Sequence, residues 1–361
     1  MLILSLTNIA FYCQDGILSM NSESFCFSQA GFRFIVFIFM NSSMNNCIFA
    51  EIYRTMRVLI TGGAGFIGSN LTKRLIEENH TVVVLDNLLR GNKIDTESFE
   101  KITFIKGDVR DFETVLEASK SCDIIIHFAA VLGVDIVADN PVETMDVEVI
   151  GTRNVVLAAQ INNVKKIMYA STSGIYGHSA IGNALTEEVL VDPRTSYAMA
   201  KRYNEIYLAS HHEEKGIDAI AVRFFNVYGY NQDNRMVIPR FFEQAINNEP
   251  ITVFGSGKQT RDFTYIDDTV EACVRLMDVK GFHIVNIANE KEWCIEDLAT
   301  EIKKITKSDS EISYIEAPKK RYDYEVERRV GSSDKLLALT NYKPDTSLKE
   351  GLEKIYALNY K

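Results

Sequence analysis

The stretch Val58-Leu59-Ile60-Thr61-Gly62-Gly63-Ala64-Gly65-Phe66-Ile67-Gly68 runs from an apolar strand into a glycine-rich turn and then into a helix. Its glycines fit G-x-G-x-x-G from Gly63 and also G-x-x-G-x-x-G from Gly62. This spacing supplies a turn residue, a residue that lets the backbone approach a pyrophosphate, and a residue for helix–strand packing. The helix N-terminus favours an anion. We predict a dinucleotide-binding turn; the alternative is a glycine-rich loop that binds no ligand.

A carboxylate follows at the distance that a nicotinamide dinucleotide requires. A second apolar run, 81–85, ends in Asp86, about twenty residues beyond the glycines, which is where an acidic residue binds the adenosine ribose hydroxyls. The same carboxylate would repel the 2′-phosphate of NADP. We therefore predict NAD as the cofactor.

Further apolar runs alternate with helical patterns along the chain. Continuous apolar runs are typical of parallel strands that are covered on both faces, and alternation with helices is typical of a doubly wound sheet. The predicted fold is therefore α/β, a doubly wound parallel (Rossmann) sheet, and the chain is long enough for a smaller C-terminal lobe as well. The runs lie at 102–105, 123–130, 164–170 and 219–225.

The composition is that of an ordinary soluble globular protein. Of the 361 residues, 46% are hydrophobic and 24% are charged, which leaves room for a large domain and a smaller lobe. The net charge of −10 argues against a nucleic-acid partner, because polyanion-binding surfaces are basic. The six cysteines show neither C-x-x-C pairs nor metal-ligand spacing, so we expect no metal site and a reducing, cytoplasmic location.

The first 55 residues differ from the rest of the chain. They hold eight of the 20 Phe and three of the six Cys, but only five Asp, Glu, Lys or Arg residues. Met56 directly precedes the first strand, so we interpret 1–55 as a disordered extension or as a segment outside the fold. The apolar run 34–40 is too short to span a bilayer, and we expect no membrane contact for the folded domain. The alternative is a membrane-associating or targeting segment.

Two groups of polar side chains follow the fifth predicted strand, a hydroxyl-rich segment and a Tyr–Lys pair. Residues 171–177, Ser-Thr-Ser-Gly-Ile-Tyr-Gly, stand at the carboxyl end of a strand, where ligands bind in open α/β sheets; the alternative is a hydrogen-bonded turn. Tyr197 and Lys201 are four residues apart and so share one helix face. A nearby ammonium and the positive nicotinamide ring would favour the tyrosine phenolate. Taken alone, this spacing is common by chance and usually indicates a surface helix pair.

Together these pieces resemble the extended short-chain dehydrogenase/reductase family, and within it the NAD-dependent nucleotide-sugar epimerases and dehydratases. The resemblance covers essentially all of 56–361. It implies that 56–225 is mainly the NAD-binding Rossmann domain and that 226–361 is mainly the nucleotide-sugar-binding lobe, with some return of the chain to the sheet. The segments that carry it are 61–68, 127–130, Tyr197 with Lys201, 223–229 and 260–265.

The resemblance also implies site residues. Tyr197 is the catalytic base, Lys201 also holds the nicotinamide ribose, and Thr172 is the catalytic Ser/Thr. The implied substrate-binding residues are Thr172, Asn226, Arg261 and Arg321, of which Asn226 and Arg261 would contact the phosphates. The implied cofactor-binding residues are Gly62, Gly65, Phe66, Ile67, Gly68, Asp86, Asn87, Asp108, Val109, Phe128, Ala129, Ala130, Tyr197, Lys201 and Phe224.

Two departures from the family pattern bear on the activity. Dehydratases and glucuronate decarboxylases of the family usually carry an acid one or two places after the catalytic Thr, where this chain has Ser173 and Gly174. The pattern therefore favours an NAD-dependent nucleotide-sugar 4-epimerase, similar to those acting on UDP-glucose or UDP-glucuronate. The second departure is Glu148, where the family usually has Asn, and it leaves one cofactor-side contact open.

Alternatives to this activity remain. Within the family the chain could be a nucleotide-sugar dehydratase or reductase. A non-catalytic NAD-binding regulator would keep the glycine turn but would not need Tyr197 with Lys201. Arg328 and Arg329 lie where the family's tail returns to the sugar, so a guanidinium there could bind a C6 carboxylate; alternatively, one or both are solvated surface arginines.

The resemblance implies a homodimer as well. In relatives, two long helices, here about 142–160 and 196–215, pack against their symmetry mates as a four-helix bundle, and two-fold dimers are the commonest oligomers. The apolar residues of these helices would be divided between the sheet and the partner. The sequence does not indicate which of them face the sheet and which face the partner; they are Val147, Ile150, Val155, Ile206 and Leu208.

We predict that deletion of 1–55 leaves thermal stability and activity unchanged, because the change in composition places this segment outside the core. Thermal unfolding of the truncated and full-length chains measures this. About 1 kcal/mol of lost packing would lower the melting temperature of a domain of this size by roughly 2–4 °C, so a larger drop would show that the segment packs.

Overall fold

The computed structural model describes residues 55–131, 134–180, 184–316 and 326–360, and the backbone of five strands before residue 54. The chain divides into two compact units, Met1–Thr55 and Met56–Lys361. In the first unit, β1 and β2 pair antiparallel, and β3, β4 and β5 form an antiparallel sheet in that order. That 1–55 is disordered or outside the fold stays a prediction. These strands are β1 (Tyr12–Cys13), β2 (Gly16–Ile17), β3 (Phe25–Ala30), β4 (Arg33–Phe39) and β5 (Cys47–Tyr53).

The second unit alternates strands with helices. Its strands are β6 (Arg57–Thr61), β7 (Thr81–Asp86), β8 (Thr103–Lys106), β9 (Ile124–His127), β10 (Lys166–Thr172), β11 (Asp218–Phe224), β12 (Val227–Tyr228), β13 (Ile251–Phe254), β14 (Thr260–Asp262), β15 (Thr264–Tyr265), β16 (Phe282–Ile287), β17 (Glu292–Cys294), β18 (Ile312–Ile315) and β19 (Arg328–Arg329). Its helices are α1 (Phe66–Glu77), α2 (Thr96–Phe99), α3 (Phe112–Ala118), α4 (Val134–Asp139), α5 (Pro141–Ile161), α6 (Ser196–Lys215), α7 (Val237–Ile246), α8 (Ile266–Leu276), α9 (Ile295–Thr306), α10 (Asp334–Thr340) and α11 (Leu348–Asn359).

Seven of these strands form one parallel sheet, in the order β8-β7-β6-β9-β10-β11-β16. The chain order reverses between β6 and β9, whose carboxyl ends pair at Thr61 and His127. A crevice opens at such a reversal, and it is where ligands bind in doubly wound sheets. The predicted Rossmann sheet is therefore confirmed, and β16 is the strand by which the later chain returns to it.

The core explains why the strand sequences are continuously apolar. Helices α5 and α6 pack side by side, as do α1 and α8. Because helices cover the sheet, central strand residues such as Leu59, Val83 and Ile125 are fully buried. Val155 of α5 and Leu208 of α6 belong to the same apolar cluster. Among the described residues, no helix is long and apolar enough to cross a membrane.

A buried carboxylate joins the three-stranded sheet β17-β14-β19 to the segment that follows β16. Asp262, at the end of β14, accepts hydrogen bonds from the backbone N–H groups of Asn289 (2.9 Å), Glu290 (2.9 Å) and Gly331 (3.2 Å). Burial raises the pKa of Asp262 to about 6. Strand β14 lies between β17 and β19, so this carboxylate joins the small sheet to the segment that leaves β16.

A buried ion pair holds α6 on the carboxyl ends of β10 and β11. Arg223 of β11 donates from Nε and Nη2 to the two carboxylate oxygens of Glu205, at 2.9 Å each. Ser171 of β10 donates to Glu205 Oε1 at 2.6 Å, and Arg223 also donates to the Tyr176 hydroxyl at 2.9 Å. Both charged side chains are fully buried. Their two parallel hydrogen bonds fix the orientation of α6.

We predict that Glu205→Gln lowers the free energy of unfolding by about 3 kcal/mol, because removal of one partner leaves the buried Arg223 charge uncompensated. Denaturant unfolding measures this. Glu213→Gln, at an exposed position of the same helix, is the matched control and should stay within about 0.5 kcal/mol of wild type. Equal stability of the two variants would contradict a structural role for the pair.

Candidate active site

The glycine turn after β6 is packed so closely against neighbouring backbone that two of its glycines accept no side chain. Gly62 has φ of +72°, and a Cβ there would lie 2.6 Å from the backbone nitrogen of Ala129. A Cβ on Gly68 would lie 2.2 Å from the Gly62 carbonyl oxygen, so neither position accepts a side chain. Helix α1 has Gly65 as its N-cap, which carries no side chain to bond the first N–H groups. Those groups suit a pyrophosphate, and Phe66 and Ile67 supply the first of them.

Asp86 stands at the edge of this turn. Its carboxylate accepts from the N–H groups of Ala64 (3.0 Å) and Leu88 (2.7 Å). Burial raises the pKa of Asp86, but two backbone donors favour the charged form. The carboxylate is therefore placed beside the glycines, as a group that binds ribose hydroxyls would be.

The adjacent strand end holds the other residues implied for the adenosine side. Asp108 accepts from Arg110 Nε (3.0 Å) and Nη2 (2.8 Å), and this hydrogen bonding holds the pKa of Asp108 below its usual range. The Asn87 side chain also hydrogen-bonds Asp108. Val109 is buried, and its carbonyl accepts from Asn154 Nδ2 at 3.0 Å.

A neutral histidine supports the facing strand end. His127 Nδ1 lies 2.7 Å from Thr61 Oγ1, and its Nε2 lies 3.1 Å from Thr152 Oγ1. Burial lowers the pKa of His127 to about 3, so the imidazole is uncharged at neutral pH. Thr61 Oγ1 also accepts from the Ala129 N–H at 3.3 Å. These bonds tie β9 to the glycine-turn strand. Phe128, beside Ala129 and Ala130, meets Phe224 edge-on with ring centroids 5.6 Å apart.

The three implied catalytic side chains come together at the carboxyl end of β10. Thr172 ends that strand, and its Oγ1 accepts from the Gly174 N–H at 3.0 Å. Thr195 caps α6 by accepting from the Ala198 N–H at 3.0 Å, which starts the helix just before Tyr197. The Tyr197 and Thr172 side chains are hydrogen-bonded. Lys201 Nζ lies 5.3 Å from the Tyr197 ring centroid.

Glu148 of α5 adds a fourth group to this cluster. Its Oε2 lies 2.9 Å from Lys201 Nζ, and the two side chains are 0% and 1% exposed. Burial raises the pKa of Tyr197, and the Glu148 charge adds to that rise, whereas the hydrogen bond to Thr172 opposes it. Burial also raises the pKa of Glu148 itself, against the effect of Lys201.

The implied phosphate-binding residues lie close together in the smaller lobe. Asn226 Nδ2 donates to the backbone carbonyl of Asp262 at 2.9 Å. Asp262 directly follows Arg261 in the chain. Arg261 Nη1 donates to the carbonyls of Thr260 (2.7 Å) and Val326 (2.8 Å). These bonds hold both side chains at one end of β14.

The two C-terminal arginines form β19, which pairs with β14. Arg328 donates to both carboxylate oxygens of Glu292, at 3.0 and 3.1 Å. Arg329 lies in register with Arg261 on the neighbouring strand, so two guanidinium-bearing residues stand side by side. Arg321 lies outside the described residues.

The residues present fit NAD. Two glycines of the turn accept no side chain, α1 begins directly after the turn, and the Asp86 carboxylate bonds the Ala64 N–H within it, where an acidic residue would bind ribose hydroxyls. Tyr197 and Lys201 lie at the carboxyl end of β10, the strand that pairs with β9. Among the described residues, no group of three or more His, Cys, Asp or Glu side chains is placed to hold a metal ion.

Comparison with known proteins identifies the family. The profile described as the NAD dependent epimerase/dehydratase family matches residues 58–288. The chain belongs to this NAD-dependent family. It is 35% identical to a UDP-N-acetyl-alpha-D-glucosaminuronate decarboxylase of Bacillus cytotoxicus, over 82% of this chain and 95% of that protein. It is 33% identical to a putative UDP-glucose 4-epimerase of Methanocaldococcus jannaschii, over 82% of this chain and 96% of that protein.

Solved structures of the family share the fold. The UDP-glucose 4-epimerase of Thermotoga maritima, solved with UDP-glucose, superposes with a TM-score of 0.79 at 29% identity, covering 84% of this chain and 98% of that one. Membership of the NAD-dependent epimerase/dehydratase family confirms the predicted resemblance and the predicted cofactor. It also shows that the chain is an enzyme of a family whose members include both epimerases and decarboxylases.

Several residues of the site escaped the sequence interpretation. Thr61 lies inside the glycine motif, but nothing in the motif indicates that its hydroxyl holds His127. Tyr169 and Asn204 both bond Glu148, the partner of Lys201, and Asn204 Nδ2 donates to the Tyr169 hydroxyl at 2.8 Å. Their only signal was position, since Tyr169 precedes Thr172 by three residues on β10 and Asn204 follows Lys201 by three on α6.

Proposed function

We propose that this protein is an NAD-dependent nucleotide-sugar 4-epimerase that acts on a UDP-hexose or a UDP-hexuronate. The observation that carries the proposal is the environment of Thr172. Gly174 donates its N–H to Thr172 Oγ1, and a Cβ at Gly174 would lie 3.3 Å from that oxygen. A carboxylic acid at this position would stand beside the reacting hydroxyl. Ser173 and Gly174 supply none, so the site favours a reaction without a leaving group.

The proposed roles follow from the cluster at the end of β10. NAD, when bound, would supply the redox chemistry at C4, as acceptor and then donor of the hydride. Tyr197 as phenolate takes the proton of the sugar 4-hydroxyl. Thr172, which is hydrogen-bonded to Tyr197, donates to or accepts from the same sugar oxygen. Lys201 holds its charge near the Tyr197 ring. The nucleotide supplies most of the binding energy, so the keto sugar is free to turn.

The side chains around β14 favour a nucleoside diphosphate as part of the ligand. Asn226 and Arg261 are held at one end of β14, and Arg329 stands in register with Arg261. A single guanidinium group can bind two phosphate oxygens at once. The Thermotoga maritima relative was solved with UDP-glucose, which supports UDP as the nucleotide.

A second candidate is decarboxylation of a UDP-hexuronate. It is favoured by the 35% identity to a UDP-N-acetyl-alpha-D-glucosaminuronate decarboxylase. The two reactions differ in their products, because an epimerase returns an isomer of its substrate whereas a decarboxylase releases CO2. Dehydration or reduction also gives a product of different mass.

We predict that incubation with a panel of UDP-, GDP- and dTDP-sugars yields a 4-epimer of one UDP-sugar, identified by NMR. We expect Tyr197→Phe to retain NAD but to lose at least about a hundredfold in turnover, the usual scale for a positioned general base. Release of CO2 or formation of a dehydrated product would contradict the epimerase. Near wild-type turnover in Tyr197→Phe would remove Tyr197 from the mechanism.

We further propose that the protein acts as a homodimer through α5 and α6. The apolar residues of these helices divide between two faces. Val155 and Leu208 are buried and Val147 packs against the same cluster, whereas Ile150 (42% exposed) and Ile206 (53% exposed) face outward. Other exposed apolar side chains on the two helices support this surface; they are Val142, Met145, Ile161, Met199 and Tyr203.

We expect Ile206→Glu to shift the protein from dimer to monomer in sedimentation at micromolar concentration, because it places a charge on the apolar face. Leu358→Glu, a matched change at an exposed apolar residue of α11, should leave the dimer intact. A wild-type chain that sediments as a stable monomer would contradict the proposal.

A further inference from the structure

Glu148 departs from the family pattern at a position that contacts the Tyr197–Lys201 pair. The residue lies in α5, and its Oε2 is 2.9 Å from Lys201 Nζ. Both side chains are excluded from solvent. The interaction between two unit charges at this separation is strong in a buried site and is little screened by salt. The positive charge of Lys201, which lies beside the proposed base Tyr197, is therefore offset by the Glu148 carboxylate from another helix.

The surroundings hold Glu148 in this position. Its backbone carbonyl accepts from Asn204 Nδ2 at 3.0 Å, and its Oε2 accepts from the Tyr169 hydroxyl at 3.3 Å. Lys201 Nζ also lies 4.8 Å from the Tyr169 ring centroid. Helices α5 and α6 and strand β10 thus meet at one carboxylate, and movement of Lys201 would break contacts on all three.

The titratable groups facing the pair come from four elements. Lys201 and Tyr197 belong to α6, Glu148 to α5, Tyr169 to β10 and His127 to β9. His127 is buried with a pKa of about 3, and burial raises the pKa of Tyr169; both are neutral near pH 7. Glu148 is therefore the one described group in this set whose negative charge can offset the Lys201 ammonium.

We propose that Glu148 is a positioning residue that anchors Lys201 and offsets its charge, so that Tyr197 forms its phenolate at a higher pH than it would beside an unpaired lysine. The inference rests on the base role proposed above for Tyr197. A lysine ammonium favours a neighbouring phenolate, and a carboxylate 2.9 Å from that ammonium cancels much of this effect. Asparagine, which the family usually carries here, would leave the ammonium uncompensated.

The test measures the ionisation of Tyr197 directly and does not depend on a substrate. Protein labelled with 13Cζ-tyrosine is titrated by NMR in the presence of NAD, and Tyr197→Phe identifies the resonance. We expect this resonance to titrate at least about one pH unit lower in Glu148→Gln than in wild type, the scale of shift that one nearby charge produces. Glu213→Gln, at an exposed position of α6, is the control and should leave the titration unchanged.

A second variant and a second measurement complete the test. Glu148→Asn places the family's residue at this position and should give the same downward shift even if Glu148→Gln is too unstable to study. The acid limb of the kcat/KM profile should move to lower pH by the same amount in both. An unchanged Tyr197 titration in the folded variants would overturn the inference. A lowered Tyr197 pKa without turnover of any sugar would support Glu148 but contradict the epimerase proposal.

Discussion

The position of α6 depends on the buried pair between Glu205 and Arg223. The pair fixes a helix from one layer to a strand of the sheet, and Ser171 bonds the same carboxylate from the neighbouring strand. Tyr197 lies eight residues before Glu205 on that helix, while Thr172 directly follows Ser171. The hydrogen bond between Tyr197 and Thr172 is therefore a consequence of how α6 docks. A buried charge pair is costly to desolvate, and here its two-point geometry gives orientation.

The same helix carries a second buried pair with a different effect. Lys201, four residues after Tyr197 on α6, forms an ion pair with Glu148 of α5. The charge near the Tyr197 phenol therefore depends on a residue from another helix. Tyr169 and Asn204 hold that carboxylate from the strand and from the helix. Electrostatic preorganisation of this kind needs groups whose positions are fixed before the reaction. One pair therefore orients the helix that carries Tyr197, the proposed base, and the other sets the charge around that residue.

Asp262 anchors the later part of the chain in a comparable way. Asp262 accepts three backbone N–H groups from segments that are far apart in the chain. Arg261 precedes it, and the Asn226 amide donates to its carbonyl. The residues proposed for the phosphates are thus attached to the same anchor that joins the lobe to the sheet. The proposed catalytic groups and the proposed phosphate-binding groups are in this way both attached to the parallel sheet.

The sequence alone indicated the parallel strands, the glycine turn and the Tyr197–Lys201 pair, because each is signalled by residues close together in the chain. Apolar runs that alternate with helical patterns predict buried parallel strands, and a four-residue interval places two side chains on one helix face. Only the tertiary structure decided which apolar residues face the core, so that Val155 points inward and Ile150 outward. It also paired Arg328 with Glu292 and Lys201 with Glu148. These contacts join residues separated by more than 30 positions, and no local spacing specifies which distant charge a side chain will meet.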